Sequence, residues 1–212
     1  RLAVSGGFHD FDSQNPGDLF LWDVASGELI RRFEDGHLYG VSAVTFSPDG
    51  SALLSGESAS GARGWEYGAP LLLWDVESGE IIQRFAALNE FVYALAIDPD
   101  GSTALSAAAN KVYLWDVQTG ENLQIFEGLG TDVQSASFSP DGRSVMASDS
   151  GGGILLWDAA SGRTLLRFAQ TDTARATFLP DGRTALSGSV DGSLMVWDLF
   201  NAAEVRRFEG HE

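Results

Sequence analysis

Leu71-Leu72-Leu73-Trp74-Asp75-Val76-Glu77-Ser78-Gly79 is the stretch on which the reading of this chain turns, because its parts recur. The Trp-Asp pair stands at Trp22-Asp23, Trp74-Asp75, Trp115-Asp116, Trp157-Asp158 and Trp197-Asp198, at spacings of 52, 41, 42 and 40 residues. A small turn pair follows four of the five, at Ser26-Gly27, Ser78-Gly79, Thr119-Gly120 and Ser161-Gly162; the last copy has Asn201-Ala202 instead. A second turn signal keeps step with the first, at Pro48-Asp49-Gly50, Pro99-Asp100-Gly101, Pro140-Asp141-Gly142 and Pro180-Asp181-Gly182. A near-constant period of about 40 residues marks an array of one supersecondary unit.

One unit resolves into four short strands. Val133 to Phe138 alternates, Pro140-Asp141-Gly142 turns the chain, and Arg143 to Ser148 returns. Glycines 151 to 153 break that run, Ile154 to Trp157 form a third strand, Ser161-Gly162 turns again, and Thr164 to Phe168 form a fourth. Strands joined by tight turns make an antiparallel meander, with Gly and Asp-Gly where positive φ is needed. The third strand is apolar on both faces, as in Leu19-Phe20-Leu21-Trp22 and Val112-Tyr113-Leu114-Trp115. A sheet with one solvated face would alternate. Cover on both faces calls for radial packing of such sheets, which leaves only short edges. Arg32, Arg84, Arg167 and Arg207, each ten residues after its Trp, fall on the outermost strand, where charge discourages edge-to-edge pairing.

These residues resemble the WD-repeat β-propeller family, over essentially the whole chain. The resemblance implies an all-β fold of four-stranded antiparallel blades. It also implies a brace in which a Gly-His pair, a Ser of the second strand and the Trp are hydrogen-bonded. Gly36-His37, Ser55 and Trp74 fit that brace in one blade, with an Asp partner available only at Asp191 in the last. The other blades are therefore expected to be braced by packing, and His37 to be structural. A single domain over residues 1–212 is expected, with blades at about 1–33 (incomplete), 41–85, 91–126, 132–168 and 172–208. Arg1 aligns with the residue after a Pro-Asp-Gly turn, and Gly210-His211-Glu212 stops where a new innermost strand would begin. The expectation is four complete blades and most of a fifth, excerpted from a ring of about seven. A five-bladed ring closed by one further strand is the alternative.

Composition narrows the function classes. The net charge is −17, from 13 basic and 30 acidic residues, and it is spread along the repeats. Duplex nucleic acid and anionic membranes reward basic patches, so neither is an expected partner. There is no cysteine, which excludes disulfides, thiolate chemistry and zinc-thiolate sites and fits a cytoplasmic setting. No apolar run approaches the ~18 residues of a membrane span.

Loop length points to a docking face. From the second-strand Ser to the Trp the gap is 17 residues for Ser5–Trp22 and 19 for Ser55–Trp74, against 9 for Ser106–Trp115 and 10 for Ser187–Trp197. Two consecutive blades thus carry extended connections on one rim. The first holds Phe8, His9 and Phe11, the second Arg63, Trp65 and Tyr67. Trp, Tyr and Arg dominate binding energy at interfaces, so these six are the candidate partner-binding residues. Equally, Trp65 and Tyr67 would suit the interior of a small Ω-loop.

No catalytic set emerges. His9, His37 and His211 all lie in loops without a nucleophile elbow. Asp10, Asp12, Asn15 and Asp18 suggest calcium, but counting from Asp10 the sixth and twelfth places hold Asn15 and Leu21 where an EF-hand loop needs Gly and Glu. Gly151-Gly152-Gly153 precedes no Lys-Ser/Thr and is a turn. Arg175 sits on an innermost strand where Ala43, Ala94 and Ser135 stand in other blades; it needs an acid or a wet channel, and pairing is the expectation. The expected function is a non-catalytic interaction scaffold, without metal or cofactor, recruiting a protein or another domain of its own chain. The alternative is a sensing domain that controls a fused effector such as an ATPase, kinase or protease.

Overall fold

The computed structural model describes residues 1–7, 18–34, 36–37, 40–57, 70–86, 88, 90–169 and 173–210, with 169, 173 and 174 described by backbone alone. Every described element is a strand, and the strands form five antiparallel meanders in chain order. The first has three strands, β1 (Leu2–Gly6), β2 (Leu19–Asp23) and β3 (Leu29–Phe33). The second has β4 (Val41–Phe46), β5 (Ala52–Glu57), β6 (Leu71–Asp75) and β7 (Ile81–Arg84). The third runs β8 (Val92–Ile97), β9 (Thr103–Ala108), β10 (Lys111–Asp116) and β11 (Asn122–Phe126). The fourth runs β12 (Val133–Phe138), β13 (Ser144–Asp149), β14 (Gly153–Asp158) and β15 (Thr164–Ala169). The fifth is β16 (Thr173–Phe178), β17 (Thr184–Ser189), β18 (Leu194–Asp198) and β19 (Ala203–Phe208).

Turn chemistry makes these units alike. In the Pro-Asp-Gly turns the aspartate accepts the N–H two residues on, as Asp49 does from Ser51 at 3.0 Å and Asp100 from Ser102 at 2.8 Å. The Asp of each Trp-Asp pair caps the following turn in the same way. Asp23 accepts the Ser26 N–H at 2.7 Å, Asp75 that of Ser78 at 2.6 Å, Asp116 that of Thr119 at 2.7 Å and Asp158 that of Ser161 at 2.9 Å. The next residue takes positive φ, at Gly27, Gly79, Gly120 and Gly162. In the last copy the left-handed place is held by Ala202, φ 54°, and Asp198 caps Phe200 instead. All five outer strand pairs shift register at the tryptophan, for example between Leu73 and Trp74. Such bulges sharpen the twist of a blade.

Among the described residues no sheet has a core of its own. The four apolar clusters each join two consecutive sheets, which is why the third strand is apolar on both faces. In every junction the last Phe of one sheet meets the Trp of the next. The ring centroids lie 5.4 Å apart for Phe33–Trp74, 5.9 Å for Phe85–Trp115, 5.5 Å for Phe126–Trp157 and 4.8 Å for Phe168–Trp197. Those four tryptophans are buried, while Trp22 of the first sheet is only partly so. The innermost strands β4, β8, β12 and β16 contact one another in sequence, and β1 contacts β4. The arrangement is that of propeller blades.

The outer arginines do more than repel neighbours. Arg32 binds Asp18 at 2.6 Å, Arg167 donates to the Gly128 carbonyl, and Arg207 binds Glu204 at 3.4 Å. One residue earlier in the strand, Arg31 crosses to the next sheet and donates to the Ser78 and Glu77 carbonyls at 2.7 and 2.6 Å. Arg175 departs from expectation: its side chain is exposed and makes no ion pair among the described residues.

Candidate functional site

The extended connections leave from one rim, and their necks adjoin. The Gly7 N–H donates to the Asp18 carbonyl at 2.9 Å, closing the first, and the Glu57 N–H meets the Pro70 carbonyl at 3.4 Å, closing the second. Val41, at the start of β4, joins the two: its N–H donates to Gly7 O at 3.1 Å and it pairs with Glu57 across the sheet. Phe8, His9, Phe11, Arg63, Trp65 and Tyr67 lie outside the described residues, as do Asp10, Asp12, Asn15 and His211. Asp18 is described, and its carboxylate holds Arg32.

Beneath these necks lies a buried polar cluster. Ser55 Oγ accepts the Trp74 indole N–H at 2.7 Å and lies 2.6 Å from His37 Nε2, while His37 Nδ1 faces Glu57 Oε2 at 3.5 Å. Gly36 is obligatory beside it, since a Cβ there would meet the Trp74 ring at 2.1 Å. The order Ser55–His37–Glu57 has the connectivity of a nucleophilic triad, an order not found in the sequence. It has no catalytic access: Ser55 is 0% and His37 2% exposed, and the hydroxyl is already engaged by the indole. The cluster fixes the start of β4 and the neck of the second long connection.

Two expectations about this brace need correction. First, its Trp–Ser half is general: Trp22 donates to Ser5 at 2.9 Å, Trp115 to Ser106 at 2.8 Å and Trp197 to Ser187 at 2.8 Å. Only the fourth sheet lacks it, because Ala147 faces Leu155 where the others place Ser. The sequence signal was legible in the second strands, Ala3-Val4-Ser5, Leu53-Leu54-Ser55, Ala104-Leu105-Ser106 and Ala185-Leu186-Ser187. At the place of His37 the third and fourth sheets bury Leu88 and Leu129, so there packing does replace the imidazole. Second, among the described residues Asp191 joins no brace; it caps the Ser193 N–H at 2.8 Å in an exposed turn. The acids at the second-strand end are Glu57 and, at the same register, Asp149. Asp149 accepts the N–H groups of Gly130 at 2.8 Å and Gly153 at 2.7 Å and so ties two loops of its own blade together.

The same rim carries aromatic residues that sequence reasoning passed over. Phe91 and Tyr93 pack with centroids 5.0 Å apart, and the Tyr93 hydroxyl donates to Asp132 of the next sheet at 3.3 Å. Burial, followed by the Asp132 charge, raises the Tyr93 pKa above its ordinary value. Tyr93 is the residue skipped where β8 shifts register between Val92 and Ala94. The equivalent bulge residue Ser42 likewise reaches the next sheet, donating to the Val92 carbonyl at 2.7 Å. Lys111, the lone lysine, binds Glu127 at 2.9 Å nearby. No group of three or more His, Cys, Asp or Glu among the described residues is placed to hold a metal ion, and no described helix is long and apolar enough to cross a membrane.

Comparison with known proteins finds relatives by sequence. The chain is 34% identical over 98 residues to WD repeat and SOCS box-containing protein 1 of Mus musculus, a stretch covering 46% of this chain and 21% of that protein. It is 41% identical over 49 residues to Protein ROOT INITIATION DEFECTIVE 3 of Arabidopsis thaliana, covering 23% of this chain and 11% of that protein. The Periodic tryptophan protein 2 homolog of Schizosaccharomyces pombe is 30% identical over 96 residues, covering 45% and 10%. The matched part is thus about a fifth or less of these relatives' lengths. The WD40 profile, described as WD domain, G-beta repeat, matches residues 27–62, 79–116, 120–158 and 171–198. Those matches span more than half of the chain, which therefore belongs to the WD40 repeat family.

Proposed function

We propose that this chain is a non-catalytic interaction platform, a WD-repeat propeller that recruits a protein, or another domain of its own chain, through its loop-rich rim. The observation that carries this is the adjoining pair of necks, Gly7–Asp18 and Glu57–Pro70, linked by Val41. Long connections on a rigid scaffold are the recurrent place for recognition. The six candidate residues Phe8, His9, Phe11, Arg63, Trp65 and Tyr67 belong to those connections by sequence. The mouse relative is named for a SOCS box in addition to its WD repeats, which suits a platform working beside other segments. Acidic charge of −17 argues against nucleic acid or an anionic membrane as the partner. The test is Trp65→Ala: melting temperature unchanged and partner affinity weakened at least tenfold supports the proposal. A large loss of stability with binding intact assigns Trp65 to its own loop core and overturns it.

A further inference from the structure

On the opposite face, which bears the Pro-Asp-Gly turns, the blade junctions are not equally closed. A Cβ on Gly142 would meet Pro99 Cδ at 3.5 Å, and one on Gly182 would meet Pro140 Cδ at 3.6 Å, so each of these turns rests on the proline of the preceding blade. Gly101, its equivalent at the junction of the second and third sheets, has nothing within 4 Å. There the turns stand apart around a cleft of about 340 Å³, with Asp49 and Asp100 on its walls and Leu73, Ile82 and Val117 below.

The charges differ in the same place. The closed turns read Asp141-Gly142-Arg143 and Asp181-Gly182-Arg183; each arginine donates its backbone N–H to its aspartate and brings a positive charge near it, while the Arg183 guanidinium itself binds Asp198 at 3.4 Å. The cleft turns read Asp49-Gly50-Ser51 and Asp100-Gly101-Ser102. Asp49 and Asp100, like Asp141 and Asp181, make no ion pair among the described residues, but their turns also lack the arginine. Hydroxyl and N–H donors hold both carboxylates ionised, from Ser47 and Ser51 on Asp49 and from Ser102 on Asp100. A chain with 13 basic residues against 30 acidic ones has few cations of its own to spare.

We propose that this cleft is a second docking site, which takes an extended segment of a partner protein and seats an arginine between Asp49 and Asp100 with an adjoining apolar side chain on Leu73 and Ile82. The incoming guanidinium supplies the positive charge that Arg143 and Arg183 bring to the closed turns, and its planar fork matches carboxylate geometry better than an ammonium does. The site is independent of the rim, since six-residue β4 runs from Val41 at one face to Phe46 at the other.

Methyl NMR of the intact protein tests it, with N-acetyl-Ala-Leu-Arg-Leu-Ala-amide as probe and the peptide with Gln for Arg as control. The expected result is movement of the Ile82 and Ile97 methyls, with affinity at least tenfold weaker for the Gln peptide and for Asp49→Asn combined with Asp100→Asn. Ile82→Arg leaves both turns untouched, because Ile82 is 55% exposed on the outer strand, and abolishes the shifts by filling the cleft with a tethered cation. Unmoved methyls at millimolar probe, equal binding of the two peptides, or unchanged binding by Ile82→Arg overturns the proposal.

Discussion

Ala202 occupies a backbone conformation that four sibling turns give to glycine, with φ 54°. A left-handed L-residue costs about 1–2 kcal/mol, so Ala202→Gly is expected to stabilise the protein by about 1 kcal/mol, read as a higher denaturant midpoint. The tryptophan brace makes a paired prediction. Ser55→Ala leaves the buried Trp74 indole without its acceptor and costs about 1–3 kcal/mol, whereas Ala147→Ser supplies the acceptor that Trp157 lacks and is expected to stabilise by about 1 kcal/mol. Denaturant unfolding of both variants checks the opposed signs. The turn aspartates contribute to acid stability. Donation from the Ser47 hydroxyl, then from Ser51, lowers the Asp49 pKa from 3.8 to about 2. A carboxyl depressed on folding contributes stability above its unfolded pKa and loses it as pH falls. The contribution of Asp49 is therefore whole above pH 3.8 and fades towards pH 2. Asp49→Asn is expected to flatten the fall of melting temperature over that window and to leave its slope unchanged near neutrality.

The strands were legible because their signals are local. A Trp-Asp pair followed by Ser-Gly sets a capped turn whose partners lie within four residues, as at Asp75 with Ser78 and Gly79. Pro-Asp-Gly does the same through Asp49 and Ser51. Glu57 and the inter-loop role of Asp149 were not legible, because His37 and Gly130 lie 20 and 19 residues away and only the finished blade brings them near. Tyr93 was missed because its side chain is re-aimed by a register shift that strand alternation does not reveal. The six rim candidates were named from loop length and residue type, and the described residues supply only the necks from which they extend. At the junctions, the Phe–Trp contacts decide stability. Phe126→Ala opens a cavity against Trp157 and is expected to cost about 3–5 kcal/mol. Because that contact belongs to two sheets, amide exchange should quicken in both β8–β11 and β12–β15. Quickening confined to the sheet that carries the substitution would show that blades are stabilised singly.

Taken whole, the molecule is a chain of interfaces rather than a chain of domains. Stability in such arrays is a sum of units and nearest-neighbour terms, and here the four cores all lie between sheets. The described strands and the residues that join them build those cores, so recognition by the long rim connections is expected to be separable from stability. The direct measurement replaces residues 8–17 and 58–69 by short turns and compares partner capture and melting temperature with those of the intact protein. The expected result is a melting temperature within a few degrees of the intact protein and loss of the partner. Full retention of the partner, or collapse of the fold on shortening the two connections, would contradict it.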